Sequence, residues 1–371
     1  MATQLAAETR SFERAAATMK YTLGLGLSAK TIERLVGQVG AELAHNHARE
    51  VGGKEVLVPD VAVVSCDGGR IRTRQSDQGP GVHDPAWRET KNASFEKMTS
   101  PAPLEKDPCR LLPDTFRQVA HVANIAEKAA FSVDCVAEQR PRYQGPARVL
   151  RTCLSSMARS REFGDQMERE ARRRRFGEAS RRVFIGDGLP WNWSIWKEHF
   201  PTFTPILDFI HAVQYLYAAA DAWEATDAAR WSRYLALTEA VWQGQVDEVI
   251  ACLHAELAAR GIQADDDLPE SSPHAPLVDA ARYLQNNRQR MDYPGYRRAG
   301  LPITSSPMES LIKQINQRVK GTEMFWNSPA GAEAILQLRA AHLCEDDRLN
   351  DYLKTRPGCS YVRRPAITLA A

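Results

Sequence analysis

The chain has 371 residues, 43% of them hydrophobic and 25% charged, enough for two or three domains and a sizeable core. Its formal net charge of +2 is too balanced to argue for nucleic-acid binding, so that case must come from local clusters. Seven scattered cysteines with no Cys-x-x-Cys exclude a zinc ribbon and a disulfide framework, and no apolar run approaches membrane length. A soluble, cytoplasmic protein with reduced thiols is expected.

Residues 1 to about 50 read as helical, rich in Ala, Glu and Leu. Leu23-Gly24-Leu25-Gly26-Leu27 supplies a turn, and Ser28 can cap a helix from Ala29 to about Leu43. Ile32, Leu35, Val36 and Val39 share one of its faces. This outline fits a helix-turn-helix and a plain packing hairpin equally well. Gly24-x-Gly26-x-x-Ala29 loosely matches a dinucleotide fingerprint, but no strand precedes it and no βαβ unit follows. His45-Asn46-His47 reads as an exposed polar segment.

The first strand pair is expected between Glu55 and Arg74, with Asp67 ending an apolar run and Gly68-Gly69 as a hairpin turn. Arg70, Arg72 and Arg74 would then alternate on the returning strand, placing three guanidiniums beside an acid. That pattern suits a phosphate backbone near a metal, and also a solvated edge strand. Residues 75–115 read as loop with one strand near Trp87 to Phe95, and Thr115 to Cys135 as a helix. Ala147 to Phe176 reads as helix, ending in the basic run Arg172, Arg173, Arg174 and Arg175, a candidate DNA-backbone contact.

Val183 to Ile185 is a short buried strand that stops at Gly186-Asp187-Gly188. An acid at a strand's carboxyl end is where open α/β sheets place chemistry; it is also an ordinary turn residue. Thr204 to Leu207 is a second such strand, ending at Asp208 with His211 three residues on. That pair fits a functional role or a helix N-cap beside a packed histidine. Residues 218 to about 290 read as all-helical, with Trp223, Trp231 and Trp242 as core.

A third acid, Glu309, stands in a helix that Ser306 can cap with Pro307 at its first position. Glu309, Lys313, Asn316 and Lys320 make a polar stripe suited to lying along DNA. Ser306-x-x-Glu309 is also a capping box, which needs no chemistry. Ser310-x-x-Lys313 imitates an acyl-serine motif but lacks its Lys-Thr-Gly partner. Another helix starts near Ser328-Pro329, and the tail from Asp346 is expected to be irregular.

Asp67, Asp187 and Glu309 together offer hard oxygen ligands for two Mg²⁺ or Mn²⁺ ions and an in-line phosphodiester displacement. Several motifs around them, in this order, resemble those of the DDE transposases of bacterial insertion sequences. They are Val64-Ser65-Cys66-Asp67-Gly68-Gly69-Arg70, Ile185-Gly186-Asp187-Gly188-x-x-Trp191 and Ile206-Leu207-Asp208-Phe209-x-His211-Ala212. Met291-Asp292-Tyr293-Pro294, Gly300-Leu301-Pro302-Ile303 through Glu309-Ser310, Arg318-x-Lys320-Gly321 and Trp326 follow. The nearest group is the ISKra (Kra-four) type, related to Mutator-like transposases, and the resemblance covers roughly residues 20–345.

The resemblance implies an α/β, RNase H-like mixed sheet flanked by helices, with an all-helical insertion between the second and third acids and a helical N-terminal region. The expected division is 1–52 for that region, 53–216 and 301–345 for the two parts of the catalytic domain, 217–300 for the insertion and 346–371 for the tail. It implies Asp67, Asp187 and Glu309 as catalytic and metal-holding residues, with Asp208 and His211 supporting them. It further implies cleavage and joining of double-stranded DNA bearing terminal inverted repeats, target DNA, a homodimer or larger assembly on DNA, and a bacterial, nucleoid-associated location. Arg70, Arg72, Arg74, Arg172 to Arg175, Lys313, Arg318 and Lys320 would contact that DNA. Thr304-Ser305-Ser306-Pro307-Met308 replaces the usual Gly-Ser-Gly, and the chain begins close to the helix-turn-helix. A catalytically impaired DNA-binding descendant and another RNase H-like nuclease are therefore the alternatives.

Overall fold

A computed structural model of the chain describes residues 1–48, 57–74, 86–133, 145–321 and 324–356. Three helices open it: α1 (Ala2–Glu8), α2 (Phe12–Leu23) and α3 (Ala29–Ala48). Then come β1 (Val61–Thr73), β2 (Ala86–Thr99), α4 (Val119–Ile125), β3 (Ala147–Ser156), α5 (Ser160–Arg173), β4 (Arg181–Gly186), α6 (Pro190–His199) and β5 (Thr204–Leu207). The chain continues through α7 (Phe209–Trp223), α8 (Asp227–Trp242), α9 (Val246–Ala259), α10 (Ala275–Asn287) and α11 (Tyr293–Arg298). It closes with α12 (Ser306–Val319), α13 (Pro329–Leu343) and α14 (Arg348–Thr355). None of the described helices is long and apolar enough to cross a membrane.

The strands form one mixed sheet in the order β3-β2-β1-β4-β5. β1, β2 and β3 are antiparallel neighbours, while β4 and β5 add parallel to β1. A five-stranded mixed sheet flanked by helices is compatible with an RNase H-like fold.

Strand periodicity sorts β1 onto two faces. Ala62, Val64 and Cys66 pack with Phe163 and Met167 of α5 and Ile195 of α6. Val61 and Val63 point the other way, into a core shared with α7 and α10, and Ile71 on that same face joins a different core built from α3, α12 and α13. Asp67 lies on this second face between Val63 and Ile71, at the seam of the two cores.

Several expectations are corrected. Gly68-Gly69 is not a hairpin turn: β1 runs straight through both, and its antiparallel partner is β2. A Cβ on Gly69 would come within 2.7 Å of Thr90 Oγ1, so this glycine serves close cross-strand approach. Ala147–Ser156 is strand, not helix, because Arg151, Cys153 and Ser155 alternate against Glu96, Ser94 and Asn92 of β2. The tail is not wholly irregular, since α14 packs on α13 through Leu349. The helix expected over Thr115 to Cys135 shortens to α4. Cys135 and Cys359 lie outside the described residues, as do the first residues of the expected strand from Glu55. Ser28 does accept from Thr31 N at 3.1 Å, and Gly24 closes α2 at φ +66°. The apolar face of α3 packs against α13, where a Cβ on Gly40 would run into the Ala334 backbone.

Candidate active site

β1 and β4 stay in register up to Cys66 opposite Gly186, so Asp67 and Asp187 follow at the same level on neighbouring parallel strands. Gly186 also pairs with Leu207, and Asp208 N donates to Gly186 O at 2.9 Å. Three aspartates thus stand at one level on adjacent strands, with strand spacing of about 4.8 Å. Glu309 joins them from the first turn of α12. Its charge raises the proton affinity of Asp67, as the charge of Asp208 raises that of Glu309.

Each acid is held by its own surroundings. Asp67 Oδ1 accepts from Gly68 N at 2.5 Å. Asp187 Oδ1 accepts from Leu189 N at 2.8 Å and from the Asn192 amide. The Asp187 carbonyl accepts from Tyr283 Oη at 2.6 Å, and Tyr283 stacks on Tyr215 with centroids 3.8 Å apart. Gly188 must be glycine: its φ is +98°, and a Cβ would lie 2.5 Å from the Tyr283 ring. Asp208 is fully buried and caps α7 through Ile210 N at 3.0 Å. Its other oxygen accepts from the Ser305 hydroxyl, and the Phe209 N–H bonds Ile303 O at 3.0 Å. The start of α12 is therefore tied to the end of β5.

Ser305, not Ser306, occupies the N-cap of α12, and its side chain makes no cap bond there. Ser306 is the first helical residue, one position past the N-cap where a capping box would start. Glu309 lies within reach of the charges of Asp67 and Asp208.

Burial is the main cause of the raised proton affinities of Asp67, Asp187 and Glu309, with neighbouring carboxylates adding to it. It lifts Asp187 to about 6, helped by Asp67 and Asp208 and opposed by the Leu189 N–H and His211. Burial likewise lifts Asp67 and Glu309, each helped by Asp208 and opposed by His211. For His211 burial works against the charged ring, but Asp208, Asp187 and Asp67 outweigh it and the proton affinity rises. Its Nε2 is 3.9 Å from Asp208 Oδ2, and its Nδ1 is 2.9 Å from Gln214 Oε1.

Clustered carboxyls that raise one another's proton affinity are the donor chemistry that a hard divalent cation suits. The donors fit by type. Among the described residues, however, no group of three or more His, Cys, Asp or Glu stands close enough to hold an ion.

The expected DNA contacts separate into groups. Because β1 is continuous, Arg70 and Arg72 lie on the face opposite Asp67, and Arg74 follows the strand's last residue, Thr73. The basic run of α5 meets carboxylates of this chain. Arg172 reaches Glu168 at 2.7 Å, Arg173 and Arg174 reach Glu170 at 3.6 and 3.1 Å, and Arg175 reaches Glu178 at 2.5 Å. Arg318 is buried under the rings of Phe12 and Trp326 and donates to Ala6 O at 2.5 Å, so it braces the N-terminal helices. Lys313 and Lys320 are exposed.

Asn192 escaped the sequence reading. It is buried, positions Asp187 and accepts from Cys66 Sγ at 3.3 Å. A polar residue between Trp191 and Trp193 was the available signal. Tyr283 and Ser305 had none, because their partners lie 96 and 97 positions away.

No family model matches the chain, and no curated protein matches it. Among solved structures, the chain is similar to the Drosophila P element transposase strand transfer complex. The likeness has 11% identity and a TM-score of 0.38, over 94% of this chain and 92% of that one.

Proposed function

We propose that this chain is a DNA-cleaving and DNA-joining enzyme of the DDE transposase type, with Asp67, Asp187 and Glu309 as its metal-holding acids. The observation that carries this reading is that Asp67 in mid-β1 stands level with Asp187 and Asp208 at the ends of β4 and β5, with Glu309 brought within reach of their charges from a distant helix. Asp208 adds to that set as the residue that ties the Glu309 helix to the sheet. Asn192 and the Leu189 N–H orient the Asp187 carboxylate, and His211 offsets part of the negative charge. Bound Mg²⁺ or Mn²⁺, two ions in this reading, would activate water or a 3′-hydroxyl and stabilise the leaving oxygen. Lys313, one turn beyond Glu309 on α12 and exposed, would meet phosphate near the acids.

The test uses the purified chain with Mn²⁺ and the DNA from either side of its coding sequence, where this reading expects inverted repeats. Strand nicking or joining is expected, and Asp67→Asn, Asp187→Asn and Glu309→Gln should each abolish it. Undiminished cutting by the triple variant would end the proposal. A second reading, a non-catalytic DNA-binding descendant, is favoured by the lack of three ligands at metal-holding distance among the described residues. It predicts salt-sensitive DNA binding with no metal-dependent cutting.

A further inference from the structure

Beyond Asp67, the edge of β1 carries a feature that the acid site does not use. β4 accompanies β1 only as far as Cys66, and further along the edge is covered by Phe325-Trp326. Trp326 N donates to Arg72 O at 2.9 Å, and Arg74 N donates to Trp326 O at 2.8 Å. Trp326 turns inward, where its Nε1 bonds Val319 O at 3.1 Å, and its neighbour Phe325 stays 45% exposed. Trp87, opposite Arg72 in β2, is 54% exposed.

Both exposed rings are flanked by cations. The Arg72 guanidinium is 5.5 Å from the Trp87 centroid and Lys320 Nζ is 5.8 Å from it. The Arg74 guanidinium is 5.7 Å from the Phe325 centroid. Exposed cation–ring contacts stabilise far less than burial of the same rings would, so the fold gains little from this arrangement. The basic run of α5 is engaged with carboxylates of the chain, whereas Arg74 and Lys320 have no such partner among the described residues.

The geometry points to a nucleobase-stacking platform: Trp87 and Phe325 take bases splayed from a duplex or lying in a single strand, and Arg74 and Lys320 meet the phosphates. This rests on the DNA-acting reading above and specifies which part of the DNA this surface takes. An intact duplex offers no open base face, and an apolar partner has no use for the cations; a single strand matches both. Arg72 stands five positions beyond Asp67 on an extended strand, about 17 Å along it, or roughly five nucleotide steps at duplex spacing. Because Arg72 also lies on the strand face opposite Asp67, the platform would take DNA away from the bond at the acids, not the bond itself.

The test measures binding of the full chain, in EDTA so that nothing is cut, to a blunt duplex and to the same duplex with a single-stranded arm. Wild type should prefer the armed duplex. Trp87→Ala combined with Phe325→Ala should lose roughly tenfold on the armed duplex and little on the blunt one, while Trp87→Phe keeps the preference. Retained preference in the double variant, equal loss on both probes, or no preference in wild type would each overturn the platform. Failure of the platform alone leaves wild-type cutting with Mn²⁺ intact, whereas absence of both cutting and DNA binding removes the underlying reading as well.

Discussion

Replacing Asp187 by Asn should make the metal-free protein more stable above neutral pH, even as it removes the proposed activity. The amide keeps Oδ1 as an acceptor for Leu189 N and Asn192, so local geometry is retained. What disappears is a buried negative charge facing Asp67 and Asp208. Asp187 sits at about 6 in the fold against an ordinary 3.8. Its folded value is above its unfolded one, so the folded state binds more protons between the two, and stability falls as pH rises through that window. Below it the acid is protonated in both states and the substitution changes little. At about 1.4 kcal/mol per pKa unit, the variant should gain about 2–3 kcal/mol at roughly pH 8, about half of that near pH 5, and under ~1 kcal/mol near pH 4. Urea denaturation in EDTA at those pH values measures the difference directly, because groups far from Asp187 contribute equally to both proteins. Mn²⁺ should then narrow the gap by stabilising wild type more than the variant. A pH-independent gap, or a variant less stable than wild type at high pH, would refute the reasoning.

Gly188→Ala should destabilise by roughly 2 kcal/mol or more, since it combines a left-handed backbone with a Cβ driven into Tyr283; thermal unfolding checks this. Ser305→Ala should leave one oxygen of buried Asp208 without its donor and lower stability by about 1.5–3 kcal/mol. Amide exchange in the first turn of α12 should speed up as well, and unchanged exchange would show that the Asp208 contact does not hold that helix. Arg172→Ala should leave DNA affinity within roughly twofold, because Glu168 already engages that guanidinium, while Lys313→Ala should weaken binding and lower its salt slope by about one. Filter binding across a salt series separates the two.

Local chemistry was enough for much of this protein. Val183–Ile185 and Thr204–Leu207 are short β-forming runs stopped by an acid, and both are strands whose ends carry the aspartates. Ser28 and Gly24 mark the helix boundaries their residue types predict. The local stop signals beside Asp187 and Glu309, a glycine pair and a Ser-Pro helix start, do coincide with the end of β4 and the start of α12, whereas the glycines after Asp67 stop nothing.

Only pairing between distant segments decided the rest. Gly68-Gly69 looks like a turn by propensity, yet thirteen successive partners in β2 hold β1 extended through it. With a strand period of two, that continuity moved Arg70 and Arg72 to the face away from Asp67. Ala147–Ser156 became strand because β2 had an open edge for it. The arginines of α5 found carboxylates within the fold, which no charge count along the chain can foresee. Asp208 is adjacent to Asp187 because β5 lies beside β4, and it reaches Ser305 because the chain returns to that strand end after α7 to α11. Residue type sets which groups can do chemistry, and strand order sets which of them meet.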